Sequence, residues 1–399
     1  MAGDCVLGVD VGTSGVKAVL VNVSAGGGGR HRRAGDVIAS AVSPLELLTR
    51  RPGWAEQDPE AWWRASVSSI RAVVEQQPSA RIAAVGISGQ MHSSVFLDRH
   101  GHVIRPALLW CDGRTTDECR QITERVGGED RLRDLTSNPA VEGFTLPKVL
   151  WLRNHEPDAF ARLSTVLLAK DFVRYRLTGA LATEPSDASA TLMYDTARLR
   201  WSWEILGALD LNHSIVPDVG GSAEVLGRVT VDAAALTGIA VKTPVVGGGA
   251  DNACGAAGVG AVTPGEAVAS WGTSGTVLAP TAEPRVDPKL RAHTFCHVAP
   301  DTWYLMGVIL SAGGAFAWYR DQLARDTVLA GDADARLNDE AAMIPPGADG
   351  VTFLPYFQGE RTPHRDASAR AAFLGLSLAH SRAHLTRAVL EGVCFALRD

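Results

Sequence analysis

At 399 residues, with 46% hydrophobic and 21% charged side chains, the chain is too long for one hydrophobic core and too apolar to be disordered, so two globular domains are expected. A formal net charge of −6 gives no basic footprint for nucleic acid or an anionic membrane, so an anionic ligand has to be met locally, by loops and a metal ion. The 6 cysteines show neither a Cys-x-x-Cys pair nor a zinc-type cluster and read as free thiols in a reducing cytoplasm; no secretory signal is visible, and the most apolar stretch, residues 245–262, is broken by Asp251 and rich in glycine, which excludes a membrane span.

In chain order, Val6-Leu7-Gly8-Val9-Asp10-Val11 reads as a strand that closes on Gly12-Thr13-Ser14-Gly15 and returns through Val16-Lys17-Ala18-Val19. Residues 26–33, four glycines and a basic run, read as a flexible hairpin insertion. Asp58-Pro59-Glu60 caps a helix over residues 62–74, with proline at its first position. Ile82-Ala83-Ala84-Val85-Gly86-Ile87-Ser88 is a short strand ending in Gly89-Gln90-Met91-His92, and functional groups collect where such strands end. Helices are expected over residues 116–125, 145–154 and 170–177, and a loop over 217–227. A second α/β unit starts near Thr243, which divides the chain into residues 1–243 and 244–399. It repeats the opening pattern: a strand, a glycine-rich turn with Asp251, a helix, then a buried strand at Ala267-Val268-Ala269-Ser270-Trp271 leading into Gly272-Thr273-Ser274-Gly275. Residues 326–350 read as a polar loop, and a last helix starts at His384.

The repeated Gly-Thr-Ser-Gly is the first chemical signal. Glycine lets backbone N–H groups approach an anion and the hydroxyls add donors, so two such turns suit the two sides of a polyphosphate, although each alone is an ordinary hairpin turn. Asp251 lies in Gly247-Gly248-Gly249-Ala250-Asp251-Asn252, where a carboxylate can take a hydroxyl proton during phosphoryl transfer; an isolated aspartate there would be a helix cap. Asp10, beside the first turn, offers the hard oxygen that Mg²⁺ on phosphates requires, or else starts a turn. Lys17 is within reach of phosphate or simply solvated. Gln90-Met91-His92 suits an uncharged polyhydroxy ligand, against a default of a core histidine. Trp110, Asp112 and Arg114 form a polar-aromatic cluster that substrate contact and a structural ion pair explain equally well.

These motifs together resemble the FGGY family of carbohydrate kinases and, within it, the xylulokinases. The likeness runs from Val6 to the last residue through Asp10-Val11-Gly12-Thr13-Ser14-Gly15, Trp54-Ala55-Glu56-Gln57-Asp58-Pro59, Gly89-Gln90-Met91-His92, Asp112-Gly113-Arg114, the Asp251 block and Gly359-Glu360-Arg361-Thr362-Pro363. Residues 143–155 and 371–391 resemble the two signatures of the family.

The resemblance implies an α/β fold of two ribonuclease H-like domains of the actin, hexokinase and Hsp70 type, with ATP and sugar in an interdomain cleft. It assigns sugar and phosphate binding to residues 1–243, and the catalytic base and nucleotide binding to residues 244–399. Asp251 would be the base and Asp10 would act at the Mg²⁺-phosphate end. Gly12, Thr13, Ser14, Lys17, Gly272, Thr273, Ser274 and Gly313 would meet ATP, while Met91, His92, Asn252, Trp110 and Asp112 would hold the sugar. Met91-His92 stands where glycerol kinases of the family carry an Arg-Glu pair, which favours D-xylulose phosphorylated at O5 in D-xylose catabolism. Ser93 and Cys111 replace a glycine and an asparagine common in xylulokinases, which keeps another ketopentose or polyol open. Relatives continue past the second signature through an adenosine-binding segment, so the second domain is expected to be incomplete and a non-catalytic sugar-binding remnant is the alternative. A homodimer in the cytoplasm, with no nucleic acid or membrane partner, completes the expectation.

Overall fold

Strict alternation builds the first strands. In Asp4–Val11 (β1) Cys5, Leu7, Val9 and Val11 are buried and the residues between them half-buried, the period of a strand packed on one face. Gly15–Asn22 (β2) repeats the pattern and pairs antiparallel with β1, and Val37–Pro44 (β3) pairs antiparallel with β2. The computed structural model describes residues 4–23, 33–329, 331–366 and 368–399. The hairpin insertion expected at residues 26–33 lies outside the described residues except for Arg33.

Helix α1 (Pro59–Gln76) forms as its cap predicts. The Asp58 side chain accepts the Glu60 N–H at 3.0 Å, Pro59 opens the first turn, and Trp62, Trp63, Ile70 and Val73 are buried. Burying Ile70 and Val73 stabilises the packing by about 1.5–3 kcal/mol each.

Arg81–Gly89 (β4) runs parallel to β1 and is the centre of the sheet. On its other side lie Val225–Arg228 (β5), Pro244–Val246 (β6) and the short Gly249–Ala250 (β7), in the order β5-β6-β4-β1-β2-β3 with β7 paired to the end of β4. Residues 217–227 were expected as loop; their end enters β5 because β6 supplies an antiparallel partner. The helices expected over residues 145–154 and 170–177 are Thr145–His155 (α2) and Ala169–Thr178 (α3), followed by the short Pro185–Ser189 (α4) and by Asp251–Gly258 (α5).

The chain divides into two compact units, one holding the chain up to Val262 with Ala282–Pro284 and Phe295–Trp303, the other Thr263–Thr281, Arg285–Thr294 and Tyr304–Asp399. The boundary expected at 243 falls inside the first unit, because β6 and β7 hydrogen-bond to β4. Asp251 therefore belongs to the first unit, not the second.

The second sheet has the order β8-β9-β11-β10, from Val268–Trp271 (β8), Gly275–Thr281 (β9), His293–Cys296 (β10) and Trp303–Ile309 (β11). Its first strand was expected to be buried, yet β8 is largely exposed and Trp271 is 56% accessible. Beside it stands Gly313–Leu323 (α6). Residues 326–350, expected as loop, contain the end of Arg325–Leu329 and all of Ala333–Ala342 (α7). Leu337 and Ala341, one turn apart, are buried, a short apolar stripe that the surrounding charges hide in the sequence. Arg382–Arg398 (α8) starts on a capping box between Ser381 and His384, and a Cβ at its Gly392 would lie 2.3 Å from the Phe353 carbonyl, so glycine lets the helix rest on Thr352–Leu354. Among the described residues no helix is long and apolar enough to cross a membrane.

Asp58→Ala should lower stability by about 1 kcal/mol in urea unfolding, the value of one N-cap side chain. An unchanged midpoint would mean that the cap adds nothing beyond the packing of Trp62 and Trp63.

Candidate active site

Strand register brings the two acidic residues together. Across the parallel ladder Asp10 is opposite Ser88, and Ser88 is opposite Gly249; one step on, Val11, Gly89 and Ala250 are aligned. Asp251 follows immediately as the first residue of α5, so both carboxylates emerge at the carboxyl ends of the two strands that flank β4, where α/β sheets place their ligands. The glycines are needed for this approach. Gly248 has φ +75°, and a Cβ there would lie 1.9 Å from the Ile87 carbonyl oxygen; at Gly249 it would lie 2.2 Å from Val298.

The cap reading of Asp251 is not realised: Ala250 occupies the cap position and Asp251 sits inside the helix. Its Oδ1 accepts the Asn252 N–H at 2.7 Å and the Asn252 Nδ2–H at 2.9 Å. Burial, then the charge of Asp10, pushes the carboxyl up to about 7, against the opposing pull of the two Asn252 bonds. Asn252 Nδ2 also donates to Met91 Sδ at 3.5 Å, so three of the expected site residues touch in one row. Asp10 is held by Ser88 Oγ, which donates to its Oδ1 at 2.7 Å.

His92 follows on the loop after β4 with φ +65°, a conformation uncommon for a side-chain-bearing residue. Its Nδ1 lies 2.6 Å from the Ala190 carbonyl, which can only accept, so Nδ1 carries a proton. The ring stacks on Phe144 at 4.5 Å, and its own carbonyl takes the Lys148 ammonium at 2.9 Å and the Thr145 hydroxyl at 3.1 Å.

The first Gly-Thr-Ser-Gly is a β-hairpin turn, with the Gly12 N–H on the Gly15 carbonyl at 3.1 Å. Thr13 Oγ1 donates to Gln90 Oε1 at 3.1 Å and accepts the Trp110 indole N–H at 3.0 Å; Gln57 Nε2 holds the Thr13 carbonyl at 2.7 Å. The polar ends of Gln90 and Trp110 thus reach the turn. Asp112 is buried, and its carboxylate holds the Ala55 N–H at 2.6 Å and the Arg114 guanidinium at 2.7 and 2.8 Å, which is the structural ion pair. Lys17 is exposed and sits directly opposite Asp10 in the β1-β2 ladder, and Ser14 is exposed at the tip of the turn.

In the second unit the repeated turn is one residue tighter, with Gly272 N–H on the Ser274 carbonyl at 2.9 Å. The start of α6 docks on it: the N–H groups of Ala312 and Gly314 reach the Thr273 carbonyl, and that of Gly313 the Gly272 carbonyl at 2.9 Å. A Cβ at Gly313 would lie 2.7 Å from that carbonyl oxygen. Gly272, Thr273, Ser274 and Gly313 are therefore one cluster with small, glycine-flanked walls.

Among the described residues no group of three or more His, Cys, Asp or Glu side chains forms a metal cage. A Mg²⁺ ion carried on phosphates needs only one or two carboxylates, and Asp10, oriented by Ser88, fits that donor set. Sequence reasoning missed Ser88, Gln57 and the stretch Glu184-Pro185-Ser186-Asp187-Ala188-Ser189. The last carried a signal, since carboxylates and hydroxyls crowd around a helix-starting proline while every one of these residues but the proline is fully buried.

In the metal-free protein the Asp251 carboxyl should titrate near pH 7 by carbon-13 NMR. Because the Asp10 charge opposes its ionisation, Asp10→Asn should move that midpoint down; an upward shift or none would contradict the pairing of the two carboxylates.

Comparison with known proteins gives this geometry its context. Residues 5–258 match the N-terminal domain of the FGGY family of carbohydrate kinases and residues 267–399 its C-terminal domain. The xylulose kinase of Bacillus subtilis is 39% identical over 396 residues, 99% of this chain and 76% of that protein; the xylulose kinase of Escherichia coli is 40% identical over 393 residues, 98% and 77%. The crystal structure of a xyloylose kinase from Brucella ovis superimposes with a TM-score of 0.87 at 38% identity, covering 99% of this chain and 78% of that one. With both domain types matched in order on a two-unit α/β architecture, the chain belongs to the FGGY family of carbohydrate kinases.

Proposed function

We propose that the chain transfers the γ-phosphoryl group of ATP to the O5 hydroxyl of D-xylulose. The observation that carries this reading is the Asp10–Asp251 pair at the ends of the two strands that flank β4, one carboxyl held by a hydroxyl donor and the other raised to about 7. The names of the relatives at 39% and 40% identity support the sugar.

In this mechanism Asp251, ionised above its raised pKa, takes the O5 proton as the bond from O5 to the γ-phosphorus forms. The bond from that phosphorus to the β–γ bridging oxygen breaks, and ADP leaves. His92, with its Nδ1–H fixed on Ala190, accepts a hydrogen bond from a sugar hydroxyl through Nε2, and Asn252 holds another hydroxyl beside the Met91 wall. Asn252 and Met91 carry no charge, which matches an uncharged ketose. Asp10 would hold Mg²⁺, which when bound neutralises phosphate charge. The Gly12-Thr13-Ser14 turn with Lys17, and the Gly272-Thr273-Ser274 turn with Gly313, are the phosphate-binding segments of their respective units. In the first turn the Thr13 hydroxyl proton is committed to Gln90, so the phosphate donors there are backbone N–H groups and the Ser14 hydroxyl. Trp110 and Asp112 support this site from behind the turn. A cytoplasmic setting, where ATP is supplied, agrees with cysteines that form no disulfide among the described residues. Homodimerisation is part of the same reading and is checked by light scattering.

The test is ADP release with Mg-ATP across D-xylulose, L-xylulose, D-ribulose, L-ribulose and glycerol. The highest kcat/KM is expected on D-xylulose, and a higher value on another sugar would overturn the substrate assignment. Asp251→Asn should lower kcat by about 10²–10⁴-fold while calorimetry still registers sugar binding. Turnover preserved in that variant would remove Asp251 from the role of base.

A further inference from the structure

Behind the strand ends lies a charge cluster that the transfer chemistry does not use. Lys170, Asp171 and Arg174 on α3, with Glu184 and Asp187 at α4, are all fully buried. Lys170 Nζ lies 2.7 Å from Asp171, 3.1 Å from Asp187 and 3.3 Å from Glu184, and Arg174 lies 3.0 Å from Asp171. Three carboxyls face two cations. Burial raises the Asp187 carboxyl well above its ordinary range.

Glu184 is the distribution point. Its Oε1 accepts the Ser186 hydroxyl at 2.7 Å and the Asp187 N–H at 2.9 Å; its Oε2 accepts the Ser186 N–H at 2.9 Å and the Ser222 hydroxyl at 2.7 Å. With its proton given to Glu184, Ser186 Oγ accepts the N–H of Ala250 at 2.9 Å. Ala250 is the residue before Asp251. The other end of the same glycine-rich run is tied as well, since Arg174 donates to the Gly247 carbonyl at 2.8 Å. Three glycines in a row would otherwise leave the approach to Asp251 loose.

We propose that Ser186, oriented by Glu184, is a positioning residue for Asp251, anchored through the Lys170–Arg174 cluster. The proposal rests on the reading of Asp251 as base. A buried ion cluster is weak support for stability, because well-packed apolar residues often serve as well, whereas the Glu184 carboxylate, with two hydrogen bonds accepted at each oxygen, fixes the direction of the Ser186 hydroxyl. Fixed geometry is what a general base in phosphoryl transfer needs.

The experiment compares wild type, Ser186→Ala, Ser186→Thr and Ser222→Ala by steady-state kinetics on D-xylulose and by amide hydrogen exchange of the peptide over residues 247–254. Ser186→Ala is expected to lower kcat about tenfold with KM for the sugar within about twofold, since a small misplacement of a reacting group acts on the transition state more than on binding. Exchange over residues 247–254 should quicken in the same variant, and Ser186→Thr should recover both readings. Unchanged kcat and unchanged exchange in folded Ser186→Ala overturn the proposal. If Ser186→Ala does not fold, Ser222→Ala, which removes one donor to Glu184 from the half-exposed side, decides on the same two readings. A failure of the kinase reading is visible separately, as wild type that releases no ADP with any sugar; the exchange measurement then decides the positioning alone.

Discussion

The parallel pairing of β4 with β1 on one side and β7 on the other is the constraint from which the rest of the site follows. Because the register aligns Asp10, Ser88 and Gly249, the two carboxylates converge without any long side chain reaching across a loop. A shift of one residue of β1 against β4 would turn Asp10 to the opposite face of the sheet. The glycines around β7 make that register attainable, since a side chain at 248 would collide with the Ile87 carbonyl. Like charge and burial then raise the proton affinity of Asp251 as a consequence of the backbone, not of a dedicated partner.

How far the sequence disclosed this depends on the range of the interaction. Cap chemistry and alternation are local, so α1 with its Asp58 cap and the β1-β2 hairpin were legible; motif settings marked Asp251 and Met91, which the structure brings together through Asn252. The boundary near residue 243 was less legible, because β6 and β7 repeat the opening strand-and-turn pattern yet complete the earlier sheet through hydrogen bonds to β4, a long-range event with no local mark. Helix α7 was missed for a related reason: only Leu337 and Ala341 need to be apolar where a short helix rests on a larger body. Ser88 and Ser186 were invisible as single serines, since what distinguishes them is the atom at the other end of the bond.

The two Gly-Thr-Ser-Gly turns show how one motif is adapted to two supports. The first is braced from behind by amide and indole side chains, Gln90, Gln57 and Trp110, which commit the Thr13 hydroxyl and leave the tip to Ser14. The second is braced by a helix start, with glycines 313 and 314 letting backbone lie on backbone. Side-chain bracing fixes the first turn through several directional bonds; backbone bracing fixes the second through steric fit. The same four residues thus tolerate different kinds of substitution in their surroundings.

His92 carries a consequence for the thermodynamics of recognition. Its backbone is held in the left-handed region, its ring is sandwiched on Phe144, its Nδ1 is bonded to Ala190 and its carbonyl is gripped by Lys148 and Thr145. A histidine on an unconstrained loop would lose rotamer freedom when a ligand docked, at a cost of roughly 0.5–1.5 kcal/mol for an immobilised side chain. Here that ordering is completed during folding, so in the proposed sugar site a hydroxyl would meet a ring whose direction is already set. Under the proposed sugar role, discrimination between epimers would come from misalignment against a fixed ring, which a mobile imidazole would have accommodated.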